Sequence, residues 1–224
     1  MTSPPALHDL SALHGRTFDA VLFDMDGTLI DSTPSVVRAW TTWAKEFGVD
    51  PHVLQGNHGV PAVQIIAAVL PPDMVAEALA RIVELEVADV DGILTLPGAE
   101  HALEVLADRS AIVTSCTRVL AHARIAASGL VAPAEVVTVD DVTRGKPDPA
   151  PYLLGAQRMG ADPARCLVVE DAPSGLASGK AAGCATLAVT TTTPAHELAA
   201  DAVVVSLADV RFTVSPDGVR VGGA

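Results

Sequence analysis

Short apolar runs alternate with helical periods along most of the chain. The run Ala20–Phe23 is followed by an acidic turn that contains glycine, a pattern typical of a buried parallel strand. After Pro97, helical stretches alternate with further apolar runs of this kind at 111–113, 136–139, 167–169, 186–189 and 203–205. Strands and helices that alternate in this way predict an α/β fold with a doubly wound, Rossmann-like parallel sheet.

The stretch between the first two predicted strands has only helical periodicity. Tryptophan and phenylalanine recur at helical spacing over 34–48, and two further helical periods cover about 60–70 and 73–90. We therefore predict an all-helical segment that is inserted after the first strand. The predicted organisation is an N-terminal arm at 1–17, a discontinuous core at 18–32 and 97–224, and the helical insertion at 33–96.

The end of the chain has a pattern of its own. Two alternating runs, 212–214 and 219–221, flank the sequence Pro216-Asp217-Gly218. Because Asp-Gly favours the tight turns that join antiparallel strands, we expect a small β-hairpin there.

Composition and charge narrow the class of protein. Half of the residues are hydrophobic and 18% are charged, which excludes an intrinsically disordered chain. The net charge of −13 would repel nucleic acid, so we expect no nucleic-acid partner. The sequence has no apolar run long enough for a membrane span and no signal-peptide pattern, and it suggests no obligate protein partner. Three widely spaced cysteines, Cys116, Cys166 and Cys184, predict reduced thiols in a cytoplasmic protein.

Candidate chemistry is concentrated just after the predicted strands. In doubly wound sheets, ligands bind beyond the carboxyl ends of the strands. The carboxylates found there suit Mg²⁺, and the lysine and hydroxyl groups suit a phosphate, so we expect a small phosphorylated metabolite as the partner. The polar residues that follow the predicted strands are Asp24, Asp26, Gly27, Thr28, Thr114, Ser115, Asp140, Asp141, Lys146, Glu170 and Asp171.

Two features near these strand ends allow alternatives. Asp140 and Asp141 either stabilise their own loop or support Lys146, and the pattern does not decide between them. Cys116 lies beside hydroxyl residues, as in a thiol phosphatase. That chemistry needs an arginine six residues later, where His122 stands, so we reject it.

Four ordered motifs resemble those of the haloacid dehalogenase-like hydrolases. They are DMDGTLIDS at 24–32, Thr114 after a strand, Lys146 in GKPDP, and Glu170-Asp171 in EDAPSG. The resemblance covers about 18–206, and the helical insertion is similar to the cap of the subgroup that contains sugar- and polyol-phosphate phosphatases and β-phosphoglucomutase. The stretches VTSCTR, GKPDPAPYLLGA and EDAPSGLASGKAAG are most similar to the glycerol-phosphate and 2-deoxyglucose-phosphate phosphatases.

This resemblance implies a Mg²⁺-dependent phosphatase that hydrolyses small sugar or polyol monophosphates through an aspartyl-phosphate. Asp24 would be the nucleophile. Asp26 would protonate the leaving alkoxide and later deprotonate the attacking water. Lys146 would neutralise part of the phosphoryl charge and hold Asp24 in place.

The resemblance also implies the residues that hold the cation and the phosphate. Mg²⁺ would bind Asp24, the backbone carbonyl of Asp26, and Asp171, with Glu170 as a direct or water-mediated ligand. The expected substrate-binding groups are Gly27, Thr28, Thr114, Ser115 and, in the cap, His58.

Other functions remain on the same scaffold. A β-phosphoglucomutase-like mutase is less favoured, because the cap has no arginine directly after His58-Gly59, where Val60 and Pro61 stand. Asp26 argues against a dehalogenase, since the dehalogenases of this superfamily lack that second aspartate. A non-catalytic binding protein would carry degenerate motifs, and the four motifs here are intact. His58 itself is either a substrate contact or a structural turn residue.

Overall fold

The central element is a parallel sheet of six strands. The computed structural model describes residues 6–54 and 60–224, and in this part of the chain the strands run in the order β5-β4-β1-β6-β7-β8, all paired in parallel. This order confirms the predicted doubly wound α/β class. The strands are β1 (Ala20–Phe23), β4 (Ser110–Val113), β5 (Glu135–Val137), β6 (Cys166–Glu170), β7 (Ala185–Val189) and β8 (Ala202–Val204).

Hydrophobic clusters cover both faces of the sheet. In the central strand β1, Val21 and Phe23 point into one cluster, whereas Ala20 and Leu22 point into the other. This alternation explains why the strand is apolar at every position. The flanking helices are α4 (Ala99–Leu106), α5 (Arg118–Ser128), α6 (Ala150–Arg158) and α7 (Pro173–Ala181).

The helical insertion has a small core of its own. Trp43 is fully buried, its indole N–H donates to the carbonyl of Ala78 at 2.8 Å, and its ring stacks on that of Phe47. Within the described residues, no helix is long and apolar enough to span a membrane. The insertion comprises α1 (Thr33–Phe47), α2 (Ala62–Val69) and α3 (Val75–Ala88).

Two very short strands mark the points where the chain leaves and re-enters the core. They are β2 (Ile30–Asp31) and β3 (Leu94–Thr95), and they pair in an antiparallel ladder. The sequence did not predict them, because two residues are too few to produce an alternating pattern. Gly98, which follows, has a φ of +85° and packs against the backbone of Leu207, so a side chain there would clash.

Both ends of the described chain pack onto the core. The tail forms the predicted antiparallel hairpin, β9 (Val210–Ser215) and β10 (Gly218–Gly223). At the other end, Leu10 and Leu13 are buried in the main hydrophobic cluster. The described part of the predicted arm is therefore packed and not loose.

Candidate active site

Asp24 lies directly after β1, at the centre of the carboxyl edge of the sheet. Its backbone N–H donates to the carbonyl of Val169 at 2.9 Å, which continues the pairing of β1 with β6. The following turn needs a glycine at position 27, where φ is +84° and a Cβ atom would overlap with the carboxylate of Asp171. Sequence and packing thus bring Asp24 and Asp171 to the same point.

Lys146 joins the ends of three strands. It is 1% exposed, and its Nζ donates to Asp24 Oδ1 at 2.6 Å, to Glu170 Oε1 at 2.8 Å and to the carbonyl of Val113 at 2.8 Å. These contacts use all three N–H donors of an ammonium group. Burial by itself would lower the pKa of Lys146, but the carboxylates of Asp24 and Glu170 raise the pKa above its ordinary value. Lys146 is therefore a permanent positive charge beside Asp24.

Glu170 has hydrogen bonds to both of its carboxylate oxygens. Oε1 accepts from Lys146 and from the hydroxyl of Tyr152 at 2.9 Å, and Oε2 accepts from the backbone N–H groups of Asp171 and Ala172 at 3.1 Å each. A Cβ atom at position 175 would overlap with this carboxylate, so the first turn of α7 needs Gly175. These contacts favour Glu170 as a support for Lys146 and for the loop that carries Asp171.

Asp171 is buried and accepts a short hydrogen bond from the hydroxyl of Thr192 in the loop after β7. Burial, and next the neighbouring carboxylate of Glu170, raise the pKa of Asp171 to about 7. Burial likewise raises the pKa of Asp24 well above its ordinary value, although Lys146 opposes this. Three buried carboxyl groups therefore share one lysine, and without further positive charge the site opposes the ionisation of Asp24 and Asp171.

These carboxylates fit a divalent cation. Asp24, Glu170 and Asp171 each offer one oxygen, and the three oxygens lie within 4.8 Å of one another. Hard oxygen ligands of this kind are what Mg²⁺ and Ca²⁺ prefer. The unfavourable ionisation of these buried groups without further positive charge is the second observation that fits a bound cation.

Asp26 points to a different set of partners, on the side of the site that faces the cap. Its Oδ1 accepts from the hydroxyl of Ser32 at 2.6 Å and from Nη1 of Arg124 at 2.8 Å, and its Oδ2 accepts from the thiol of Cys116 at 3.1 Å. The side chain of Asp26 is 24% exposed, so it is the accessible carboxylate of the pair in the first motif.

The predicted hydroxyl residues lie in the turns that follow β1 and β4. Thr114 is buried after β4, and its hydroxyl oxygen accepts the backbone N–H of Cys116 at 3.1 Å. Thr28 is buried, and its Oγ1 lies 3.5 Å from Asp171 Oδ1. Ser115 is half-buried in the turn after Thr114.

Asp140 and Asp141 stabilise their own loop. Asp140 accepts the backbone N–H of Arg118 at 2.7 Å, and Asp141 pairs with the guanidinium groups of Arg118 and Arg158. Of the two alternatives from the sequence, loop structure is thus the one that the contacts support.

The cap approaches the site through its second helix. His58 and Gly59 lie outside the described residues, so the expected contact of His58 stays a prediction. Pro61, just before α2, is buried against Gly145, the neighbour of Lys146. The start of α2 therefore lies over the core loop that carries the lysine.

Four residues of this region were missed by sequence reasoning: Arg124, Tyr152, Thr192 and Glu86. Arg124 lies in α5 and contacts Asp26, while Glu86 in α3 contacts Arg124. Tyr152 is the only tyrosine of the chain and follows the GKPDP motif closely, which is a weak signal that could have been used.

A doubly wound sheet with a buried aspartate–lysine pair and a carboxylate cluster at its carboxyl edge defines a hydrolase-type site. The chain belongs to the haloacid dehalogenase-like hydrolase family, whose profile matches residues 18–183. The predicted family is thereby confirmed.

Comparison with characterised proteins agrees with this assignment. The chain is 43% identical over 206 residues to hexitol phosphatase A of Escherichia coli, which covers 88% of this chain and 95% of that protein. It is 36% identical over 192 residues to glycerol-1-phosphate phosphohydrolase 2 of Saccharomyces cerevisiae, a match that covers 78% of this chain and 75% of that protein. The predicted enzyme class, a phosphoric monoester hydrolase, is confirmed at this level.

A solved structure supports the same fold. A hydrolase from Pseudomonas syringae superposes with a TM-score of 0.77 at 25% identity, and the match covers 85% of this chain and 95% of that one. The similarity therefore extends over most of this chain.

Proposed function

We propose that this protein is a Mg²⁺-dependent phosphatase that hydrolyses small sugar or polyol monophosphates through an aspartyl-phosphate. The observation that carries the proposal is the buried pair of Asp24 and Lys146, in which Nζ lies 2.6 Å from Oδ1. The pair lies at the carboxyl edge of the sheet, which also carries Asp171. A permanent positive charge next to a carboxylate is what an attack on an anionic ester requires.

The proposed reaction has two steps, both in line at phosphorus. First, an oxygen of Asp24 forms a bond to phosphorus as the ester P–O bond breaks, and Asp26 gives its proton to the leaving alkoxide. Then a water molecule forms a P–O bond as the aspartyl P–O bond breaks, and its proton passes to Asp26. Inorganic phosphate leaves and both aspartates return to their starting states.

The cation would be held by Asp24, Asp171 and the backbone carbonyl of Asp26. When bound, it supplies the positive charge that offsets the repulsion between the nucleophilic carboxylate and the phosphate. Glu170 supports this arrangement through Lys146 and the N–H groups of its own loop. Asp24 and Asp171 would supply carboxylate oxygens to the cation, and Glu170 would be a direct or water-mediated ligand.

The phosphoryl oxygens would be bound by Thr114, Thr28 and the backbone N–H groups near Gly27 and Ser115. Thr114 and Thr28 are both buried next to the carboxylate cluster. Donors fixed in a water-poor site stabilise the charge that develops on the phosphoryl group.

The cap favours a neutral hydroxylated group over a second phosphate. Between 33 and 95 the sequence has eight acidic residues against three basic ones. Arg38 pairs with Asp89 and Arg81 pairs with Glu46, each at 2.7 Å, so these two cations already have carboxylate partners. The names of the hexitol and glycerol-1-phosphate phosphatases point to the same substrate class.

We extend the proposal to the organisation of the chain and its location. The core would comprise 18–32 and 97–224, and the cap 33–96, a division supported by the separate hydrophobic cluster around Trp43. A cytoplasmic location is supported by the three free cysteines.

A phosphate-release assay over sugar, polyol and nucleotide monophosphates tests the proposal. We expect Mg²⁺-dependent release from three- to six-carbon polyol or sugar monophosphates, and no release after chelation. Interconversion of hexose 1- and 6-phosphates without phosphate release would replace the phosphatase with a mutase. Full activity in excess chelator would remove the metal from the mechanism.

A further inference from the structure

We propose that Arg124 is a positioning residue that holds the carboxylate of Asp26 for proton transfer and ties it to the cap through Glu86. The inference rests on the proposed acid–base role of Asp26. It assigns a task to a residue of α5 that belongs to none of the four motifs.

Arg124 bridges the core and the cap with one guanidinium group. Its Nη1 donates to Asp26 Oδ1 at 2.8 Å, and its Nη2 donates to Glu86 Oε1 in the cap helix α3 at 3.0 Å. The side chain of Arg124 is 4% exposed and that of Glu86 is 9% exposed. The same cation therefore contacts a proposed catalytic group and the cap.

The buried ion pairs of Arg124 are not explained by a gain in folding stability. A buried ion pair must repay the desolvation of both charges, and replacement by apolar groups is often neutral or stabilising. Nε of Arg124 is buried and, among the described residues, has no hydrogen-bond partner. An arginine retained at this cost in the interior is better explained by what it contacts.

The other donors to Asp26 are neutral. Ser32 donates an O–H, and Cys116 donates an S–H to the opposite oxygen. Arg124 is thus the charged member of the group that orients Asp26.

Glu86 completes the bridge from the cap side. Burial raises the pKa of Glu86, and the charge of Arg124 opposes this rise. The guanidinium therefore sits between two carboxylates, one on each side of the junction. A displacement of α3 would reach Asp26 through one side chain.

The proton that Asp26 delivers is needed only when the leaving group is a poor one. An alkoxide from a polyol phosphate must be protonated as it departs, whereas 4-nitrophenolate is stable without a proton. General acid catalysis contributes about 10²- to 10⁴-fold, so incorrect placement of Asp26 should lower kcat/KM, which reports the phosphoryl-transfer step, for alkyl phosphates only. Hydrolysis of the aspartyl-phosphate also uses Asp26 and is common to both substrates, so kcat does not separate them.

The test compares the leaving-group dependence of variants. For Arg124→Met we expect kcat/KM for glycerol 1-phosphate to fall about 10²-fold, and kcat/KM for 4-nitrophenyl phosphate to fall by less than about threefold. Arg124→Lys keeps the charge and should recover part of the loss. Glu86→Gln should produce a smaller loss with the same dependence on the leaving group. Arg158→Met, which removes an arginine paired with Asp141 far from Asp26, is the matched control and should change neither rate.

Two outcomes separate this inference from the proposed function. If Asp26→Asn shows the leaving-group dependence and Arg124→Met lowers both rates equally or lowers neither, the positioning role is wrong while the phosphatase proposal stands. If Asp26→Asn itself lacks that dependence, the acid–base role fails first. In the Asp26→Asn background, Arg124→Met should cost less than about twofold more, since groups that act as a unit are not additive. If Arg124→Met does not fold, Arg124→Lys decides, because a uniform loss on both substrates would contradict the proposal.

Discussion

The carboxyl edge of the sheet and the helical cap use charge in opposite ways. At the sheet edge, Asp24, Lys146 and Glu170 are buried, and Lys146 lies within hydrogen-bond distance of both carboxylates. In the cap, the pairs of Arg38 with Asp89 and Arg81 with Glu46 have side chains that are 30–47% exposed. Buried charges need all their partners, whereas exposed pairs contribute little and are screened by salt. The difference implies that the chemistry is built into the core, while the cap can vary around it.

The largest expected effect is at the nucleophile. Asp24→Asn keeps the size of the side chain but removes the attacking oxygen anion and a cation ligand, so kcat should fall by about 10³-fold or more. The matched control is Asp19→Asn, at the other end of β1, where Asp19 pairs with Arg165 at the surface. Phosphate release from a polyol monophosphate measures both variants. Near wild-type turnover by Asp24→Asn would contradict the proposed mechanism.

The next largest effect is expected on the free energy of unfolding, which should fall more for a core variant than for a cap variant. Lys146→Met leaves two buried carboxylates without their cation, and breaking such a buried network costs about 3–5 kcal/mol. Arg81→Met removes an exposed cap cation and should lower the free energy of unfolding far less. Urea denaturation of both variants makes the comparison. Equal losses would show that burial does not separate the core site from the cap.

Replacement of Arg124 tests the junction of the two regions, because its side chain contacts both the core and the cap. Its loss of kcat/KM should be confined to substrates with poor leaving groups. Loss of kcat/KM for glycerol 1-phosphate, measured against 4-nitrophenyl phosphate, is the signature of a link between cap and core.

The stability of the metal-free protein should depend on pH because of the acidic cluster in the core. Without metal, the folded pKa of Asp171 is about 7, against an ordinary value of 3.8, so the folded state binds more protons than the unfolded state. The metal-free protein should therefore lose stability as the pH rises from about 4 to about 7. Bound Mg²⁺ should restore the lost stability. The affinity for Mg²⁺ should weaken about tenfold per pH unit below 7, because protons compete for Asp171.

Thermal unfolding with chelator and with Mg²⁺ measures this dependence. Asp171→Asn, which cannot ionise, should reduce the pH dependence of the metal-free protein, leaving the part due to Asp24, and should abolish the stabilisation by Mg²⁺. A metal-free Tm that rises over the same pH range would reverse the sign and contradict the argument.

The smallest effect is expected in the cap. His58→Ala should reduce kcat/KM several-fold for the favoured polyol phosphate and leave 4-nitrophenyl phosphate nearly unchanged, since only the former needs a cap contact. Lys45→Ala, at an exposed position of α1, is the control. An equal loss on both substrates would favour the structural alternative for His58.

The core could be predicted from sequence because its signals are local. Ala20–Phe23 is apolar throughout since both of its faces are covered, and Asp24 and Lys146 stand in short motifs just beyond strands. Parallel pairing then brings such residues to one edge regardless of detailed packing. The same logic failed for the strand predicted at 136–139, which ends at Val137 and continues as a 3-10 turn over Val139–Asp141.

The rest depends on contacts between residues far apart in the chain. Arg124 lies in a helix whose sequence gives no reason to bury a cation, and its partners Asp26 and Glu86 are 98 and 38 residues away. Tyr152 has the pattern of an ordinary core residue until its hydroxyl meets Glu170. Such partnerships arise from tertiary packing, which hydrophobic periodicity does not encode.

The short ladder of β2 and β3 has a consequence for how this chain could diversify. Ile30 pairs with Thr95 and Asp31 with Leu94, so the outgoing and returning strands lie side by side. An insertion whose two ends are neighbours places little geometric demand on its host, because a segment of almost any length or shape can begin and end there. The helical segment is in this sense an exchangeable module. A chimaera that grafts a different cap between Asp31 and Leu94 should keep the sheet intact and change the molecules that reach it.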